Sequence, residues 1–176
     1  QWGNGTDSTG PCSVAGTGEF PNSGGCDAIQ QWKVHFEYAN AAPVTFVSDG
    51  TPGFSHGIRF VGESAWVHVQ RGLIEASHEQ VLRDPQNKYD TMPIALPVSH
   101  RHTYNFVEAV KNGTRAICDI ETAVRSDTLC QIALIAVKQG RKLSWDPKAE
   151  RFVNDGAANA LLQPRPFRGG WKLPEA

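Results

Sequence analysis

From Gln31 to Tyr38 apolar and polar residues alternate, with Trp32, Val34, Phe36 and Tyr38 set against Lys33, His35 and Glu37. A period of two sends these sets to opposite faces of a strand, one buried and one wetter. Val44 to Val47 predicts its partner across the turn Asn40 to Pro43. Ser13 to Phe20 is a short β-capable stretch among the turn glycines of the opening segment. Ile58 to Val61, Ala65 to Val69 and Leu73 to Ala76 predict three more short strands, turning at Gly62-Glu63 and Arg71-Gly72. This is a β-meander, which favours antiparallel pairing.

The period then changes. Ser77 to Arg83 predicts a short helix, and Asp84 to Pro97 a loop carrying Pro85, Pro93 and Pro97. Ser99 stands where a cap opens a helix running to Lys111 and stopped by Asn112-Gly113, with Phe106, Val107 and Val110 on its apolar side. Asp119 is placed to cap a longer helix ending near Gly140. In it Leu129, Ile132, Ala133 and Ala136 recur at helical spacing, and Leu134, Ile135 and Val137 widen the apolar face, so it is expected to be buried on most sides. Lys142 to Trp145 reads as an edge strand, Asp155 to Leu162 as a last short helix and Pro164 to Pro174 as a docked tail. Strands first and helices second, without βαβ alternation, predict an α+β fold of two layers: an open, mostly antiparallel β-sheet with helices packed on one face. The opposite face carries Lys33, His35 and Glu37, together with either Trp66 and His68 or Val67 and Val69. An open face of that mixed character suits a partner chain.

A length of 176 residues suits one domain, and 40% hydrophobic with 20% charged residues marks globular material rather than a disordered tail. The net charge of -1, without a basic block, gives no footprint for nucleic acid. The longest apolar run, Ile132 to Val137, is too short to span a bilayer, and no leader-like start is present. Opening on Gln1 favours a processed chain or a fragment, and the composition suits a cytoplasmic or a periplasmic protein equally. No two of Cys12, Cys26, Cys118 and Cys130 form a Cys-x-x-Cys pair. Cys118 and Cys130 read as small core residues, while Cys12 and Cys26 read as free thiols that pair only in an oxidising compartment.

Few residues suggest chemistry. Gly16-Thr17-Gly18 resembles the start of a dinucleotide-binding loop, but Pro21 stands where the last glycine belongs and an extended segment follows instead of a helix. These glycines are therefore read as turn or bulge positions. His100-Arg101-His102 offers two imidazoles, but at a helix start they point to different faces, which argues against a metal and for the edge of a polar cleft or simple helix-start packing. Asp119, Glu121, Arg125 and Asp127 suit a helix N-terminus and surface ion pairs. Asn4-Gly5-Thr6 and Asn112-Gly113-Thr114 match the N-glycosylation pattern and also read as turns. The tryptophans offer faces for sugar rings, though core packing is the commoner use. No self-contained catalytic or metal constellation emerges.

In order and spacing, one set of segments resembles the C-terminal domain of the Gfo/Idh/MocA oxidoreductases. They are Trp2 to Pro11 with Gly16 to Pro21, Ser48-Asp49-Gly50, Phe60 to Val67, Asn105 to Gly113, Ile132-Ala133 with Gly140-Arg141, Leu143 to Pro147, Glu150-Arg151-Phe152, Asn154-Asp155, and Pro164-Arg165 and Arg168 with Trp171. The resemblance covers essentially the whole chain, and its ending, from Leu143 on, is similar to a branch common in environmental bacteria that degrade polysaccharides. It implies a two-domain NAD(P)-dependent enzyme that moves a hydride between a sugar or polyol and the nicotinamide. An N-terminal Rossmann domain holds NAD or NADP, and the C-terminal domain contributes the substrate side and a sheet face for homo-oligomers. The family's Glu-Lys-Pro motif is missing here, and its Asp-x-x-x-His helix would lie just before Gln1. The resemblance therefore implies no catalytic residue and no cofactor bound by this chain alone. Asn4, Thr6 and Asp7, directly after that helix, are the expected substrate contacts, with His100, His102 and Arg125 as further hydrogen-bonding candidates. Alternative readings are a carbohydrate-binding or oligomerisation module without catalysis, or part of a glycoside hydrolase or lyase that works by transient oxidation.

Overall fold

A computed structural model describes residues 10–83, 99–164, 169–170 and 172. The predicted loop Asp84 to Pro97 and most of the predicted tail lie outside them. The chain divides into two compact units, 1–48 with 124–176, and 49–123.

The first unit contains β1 (Ser13–Glu19), β2 (Gln31–Glu37), β3 (Val44–Val47), β7 (Leu143–Asp146) and β8 (Arg151–Phe152). They form one antiparallel sheet in the order β3-β2-β1-β7-β8. The alternation read from β2 is realised: Val34 and Phe36 are buried, Lys33 and His35 exposed. Register carries this division across the strands, since Val14 faces Phe36 on one side and Leu143 on the other. The buried face is covered by the C-terminal half of α3 (Ile120–Gln139), through Ile132, Ile135, Ala136 and Val137, and by Ala158 of α4 (Gly156–Ala160). Trp145 and Phe152 close the core edge-to-face, with ring centroids 4.9 Å apart. Asp155 caps α4 by accepting from the Ala158 amide at 3.0 Å. The Asn159 carboxamide brackets Phe152, accepting from its N–H and donating to its carbonyl, both at 2.8 Å.

Three expectations change here. The segment read as an edge strand, β7, lies between β1 and β8, because its pairing partner comes from the far end of the sequence. Gly16 and Gly18 are interior strand positions, not turns or a bulge. A Cβ on Gly16 would lie 2.7 Å from Val34 Cγ2 and 3.1 Å from Val137 Cγ2, and one on Gly18 would lie 2.8 Å from the Gln31 carbonyl and 3.0 Å from Val137 Cγ1. They are bare so that α3 can approach the sheet. All four cysteines are free and exposed, Cys118 and Cys130 included, because the burial of α3 is confined to its C-terminal half.

The second unit contains β4 (Ile58–Val61), β5 (Trp66–Gln70) and β6 (Leu73–Ala76), followed by α1 (Glu79–Arg83) and α2 (His102–Asn112). The predicted meander thus divides between two antiparallel sheets, the second ordered β4-β5-β6. Cross-strand pairs Ile58/Val69, Phe60/Val67, Val69/Ile74 and Val67/Ala76 place an all-apolar set on one face. Arg59, His68 and Glu75 share the other. Arg101, not Ser99, precedes α2 as its N-cap, and no side-chain cap bond forms. The predicted stop is present: Gly113 takes the left-handed conformation (φ 62°) and returns its N–H to the Ala109 carbonyl. The predicted apolar side of α2 stays largely uncovered, with Phe106 62% and Val110 66% exposed, and Ala109 is the residue it buries. Asp119 opens α3 as predicted, accepting from the Thr122 amide at 2.8 Å.

Candidate functional site

The five-stranded sheet has one face committed to the core, which leaves its other face open to a ligand or partner. That face is built from the outward positions of β1, β2 and β3. Register aligns Thr17 with Lys33, Ala15 with His35 and Ser13 with Glu37, then Lys33 with Val47 and His35 with Thr45. His35 Nδ1 lies 3.2 Å from Thr45 Oγ1. Ser13 donates to Glu37 Oε2 at 2.7 Å, and Lys142 Nζ donates to the same oxygen. The lysine contact, and after it the serine hydroxyl, hold the Glu37 carboxyl below the usual carboxylate range. The result is a mixed array in which polar side chains of both charge signs stand beside Ala15 and Val47. The ion pair is solvent-exposed, so it organises the face more than it stabilises the fold.

Arg125 projects from α3 within the first unit. Its Nη1 donates to the Pro147 carbonyl at 3.2 Å and lies 3.6 Å from Glu150 Oε1. The guanidinium therefore anchors the turn between β7 and β8, and this structural role is one the residue pattern did not suggest. Gly10 approaches the same turn: a Cβ there would lie 2.9 Å from Pro147 Cβ. His100 and His102 belong to the second unit, where both side chains are exposed, one just before α2 and the other at its first residue. Among the described residues, no group of three or more His, Cys, Asp or Glu side chains is arranged to hold a metal ion. Asn4, Thr6 and Asp7 lie outside the described residues.

A family model described as "Oxidoreductase family, C-terminal alpha/beta domain" matches residues 1–173. The chain belongs to the Gfo/Idh/MocA oxidoreductases, as their C-terminal domain. No curated protein and no solved structure matches it. For this Gfo/Idh/MocA domain the geometry tests one point about the nicotinamide cofactor that such enzymes typically use. Phosphate binding at a Gly-x-Gly needs free backbone amides at a helix N-terminus. Gly16 and Gly18 instead sit within the β1–β2 ladder with α3 packed over them, so these residues do not fit a dinucleotide. No helix among the described residues is long and apolar enough to cross a membrane.

His68 was missed as a polar centre by sequence reading. Its ring is 2% exposed and bonded on both nitrogens. The signal was present in the hairpin: a two-residue turn at Arg71-Gly72 pairs Gln70 with Leu73, and therefore His68 with Glu75.

Proposed function

We propose that this chain is the substrate-side and oligomerisation domain of an NAD(P)-dependent oxidoreductase acting on a sugar or polyol. The observation that carries the proposal is the family match over residues 1–173, on a fold whose sheet keeps one polar, uncovered face. When bound, the nicotinamide supplies or accepts the hydride. The strand glycines do not fit it, so the reading assigns the cofactor to a Rossmann domain of the parent protein and routes no chemical step through the residues described. Asn4, Thr6, Asp7, His100 and His102 are the donors and acceptors offered to substrate hydroxyls. Arg125, whose guanidinium donates to the Pro147 carbonyl, is a further candidate donor. The face bearing Thr17, Lys33, His35 and Thr45 meets a second copy of the chain: its outward polar side chains suit sheet-on-sheet contact with polar pairing.

Calorimetric titration of the 176-residue chain with NAD, NADP and a panel of sugars and polyols tests the division of labour. No cofactor binding is expected, and saturable micromolar binding of either dinucleotide overturns it. Light scattering tests the face. Self-association that weakens in Thr17→Glu, at an exposed outward position, supports the reading, and a strictly monomeric chain counts against it.

A further inference from the structure

Among the described residues, Asp49-Gly50, Asn112-Gly113 and Asp155-Gly156 each place a side-chain carbonyl one residue before a glycine. In such a step the glycine nitrogen can close a five-membered ring on its neighbour's side chain, because no Cβ shields it. Sequence alone favours Asn112, since a carboxamide carbon is a better electrophile than a carboxylate carbon. The structure ranks the three differently. Gly113 closes α2 and returns its N–H to the Ala109 carbonyl, so its nitrogen is committed to the helix. The Asp155 carboxyl is held by Arg141 at 2.6 Å and by the Ala158 amide at 3.0 Å, which direct it past the glycine. At Asp49-Gly50 the two reacting groups already face each other. Both residues are exposed, and the Gly50 N–H points at Asp49 Oδ1 from 3.0 Å, one bond short of the carbon it would attack.

We propose that Asp49-Gly50 is a site of spontaneous modification, where the main chain rearranges to isoaspartate. The Gly50 nitrogen bonds to Asp49 Cγ and gives up its proton, and one carboxyl oxygen leaves as water. The product is a cyclic imide. Water then adds back to one of its two carbonyls, and the ring C–N bond at that carbonyl breaks, returning the proton to nitrogen. Opening at Cγ restores aspartate. Opening at the former main-chain carbonyl leaves the chain running through the side chain, as isoaspartate. The water lost is the water regained, so the rearrangement needs no other reactant and leaves mass and oxidation state unchanged.

The surroundings favour ring closure at this step. Ser48, just before it, is buried and fixed: its N–H donates to the Trp32 carbonyl at 3.0 Å, and its hydroxyl donates to Gln31 Oε1 at 2.9 Å. The chain therefore enters the step from a held end. Gly50 takes φ 77°, and apart from its chain neighbours nothing lies within 4 Å of where a Cβ would stand. No side chain crowds the forming ring or the water that opens it. The product carries one extra methylene in the main chain directly after β3, and its free carboxylate is the former main-chain carboxyl.

The test ages the 176-residue chain at neutral pH, folded and in parallel in guanidinium chloride, and maps its peptides over weeks. Isoaspartate is read by methyl transfer from S-adenosylmethionine with an isoaspartyl methyltransferase. A second reading is the loss of cleavage before residue 49 by a protease that cuts on the N-terminal side of aspartate. In the folded chain the peptide carrying Asp49 should gain isoaspartate at least about ten-fold faster than those carrying Asn112 or Asp155, because one step is held close to its attack geometry and the others are not. In denaturant that order should reverse, with Asn112 leading. Asp49→Glu cannot close a five-membered ring, so the signal from this peptide should vanish while the thermal melt stays unchanged. An unmodified Asp49 in the aged folded chain overturns the proposal. So does a folded chain in which Asn112 or Asp155 keeps pace with it.

Discussion

Gly18→Ala isolates the closeness of β1 to α3. In an isolated strand the change would help, because alanine loses less backbone freedom than glycine, a gain of about 0.4–1 kcal/mol. Here the new Cβ would sit 2.8 Å from the Gln31 carbonyl oxygen, against Ile29 Cδ1, and 3.0 Å from Val137 Cγ1. Ile29 can rotate away and Val137 can shift, but the carbonyl belongs to the neighbouring strand and is held in the β1–β2 ladder. Overpacking of this kind costs about 1–3 kcal/mol. The net loss is then about 1–2 kcal/mol, or a fall in Tm of about 2–8 °C for a chain of this size. Urea and thermal melts read it directly. Gly25→Ala is the control, since nothing lies within 4 Å of its Cβ position, and it should be neutral or slightly stabilising. Adding Val137→Ala should relieve Gly16→Ala, whose closest neighbours are the Val34 and Val137 side chains, more than it relieves Gly18→Ala. A Gly18→Ala protein as stable as the parent would refute the close-approach account of both glycines.

Three further outcomes follow from the core and its ties. Phe152→Ala removes a fully buried ring stacked edge-on against Trp145 and should cost about 3–5 kcal/mol in urea unfolding. Asn159→Asp keeps the acceptor for the Phe152 amide but sets a carboxylate against the Phe152 carbonyl, and the same melt should show a loss of about 1–3 kcal/mol. Asp155 bonds to Arg141 at 2.6 Å and to the Ala158 amide, and these contacts, the arginine first, hold its carboxyl below the usual range. A depressed carboxylate stabilises the fold above its unfolded pKa of about 3.9, and the contribution fades as pH falls through the lower folded value. Asp155→Asn should therefore lower Tm at pH 7, with the difference from the parent closing below about pH 4.

Local pattern made much of this fold legible. β2 declared itself through strict alternation, and α3 through a crowded apolar face with Asp119 at its start, because both signals are complete within a few turns of chain. What escaped depends on distant partners. Nothing near Leu143 says that β1 will pair with it, so a central strand read as an edge. Gly16 and Gly18 looked like turn residues because Val137, the reason for their bareness, is far along the sequence. Cys130 looked buried because α3 is apolar on average, whereas the helix enters the core only toward its C-terminal end. Among the candidate site residues, Arg125 showed its turn-anchoring role only once Pro147 and Glu150 were placed beside it. The polar face of β2 was foreseeable from Lys33 and His35 alone.

The order of the large sheet also bears on how the protein is made. Val14 takes one neighbour, Phe36, from the next strand and the other, Leu143, from near the end of the chain. On the ribosome β1, β2 and β3 emerge well before α3 can cover Val34 and Phe36, so the nascent hairpins carry a greasy, sticky surface until the chain has been made through Gln139. Stalled or prematurely terminated products ending before Leu143 should be clients of chaperones and prone to clump.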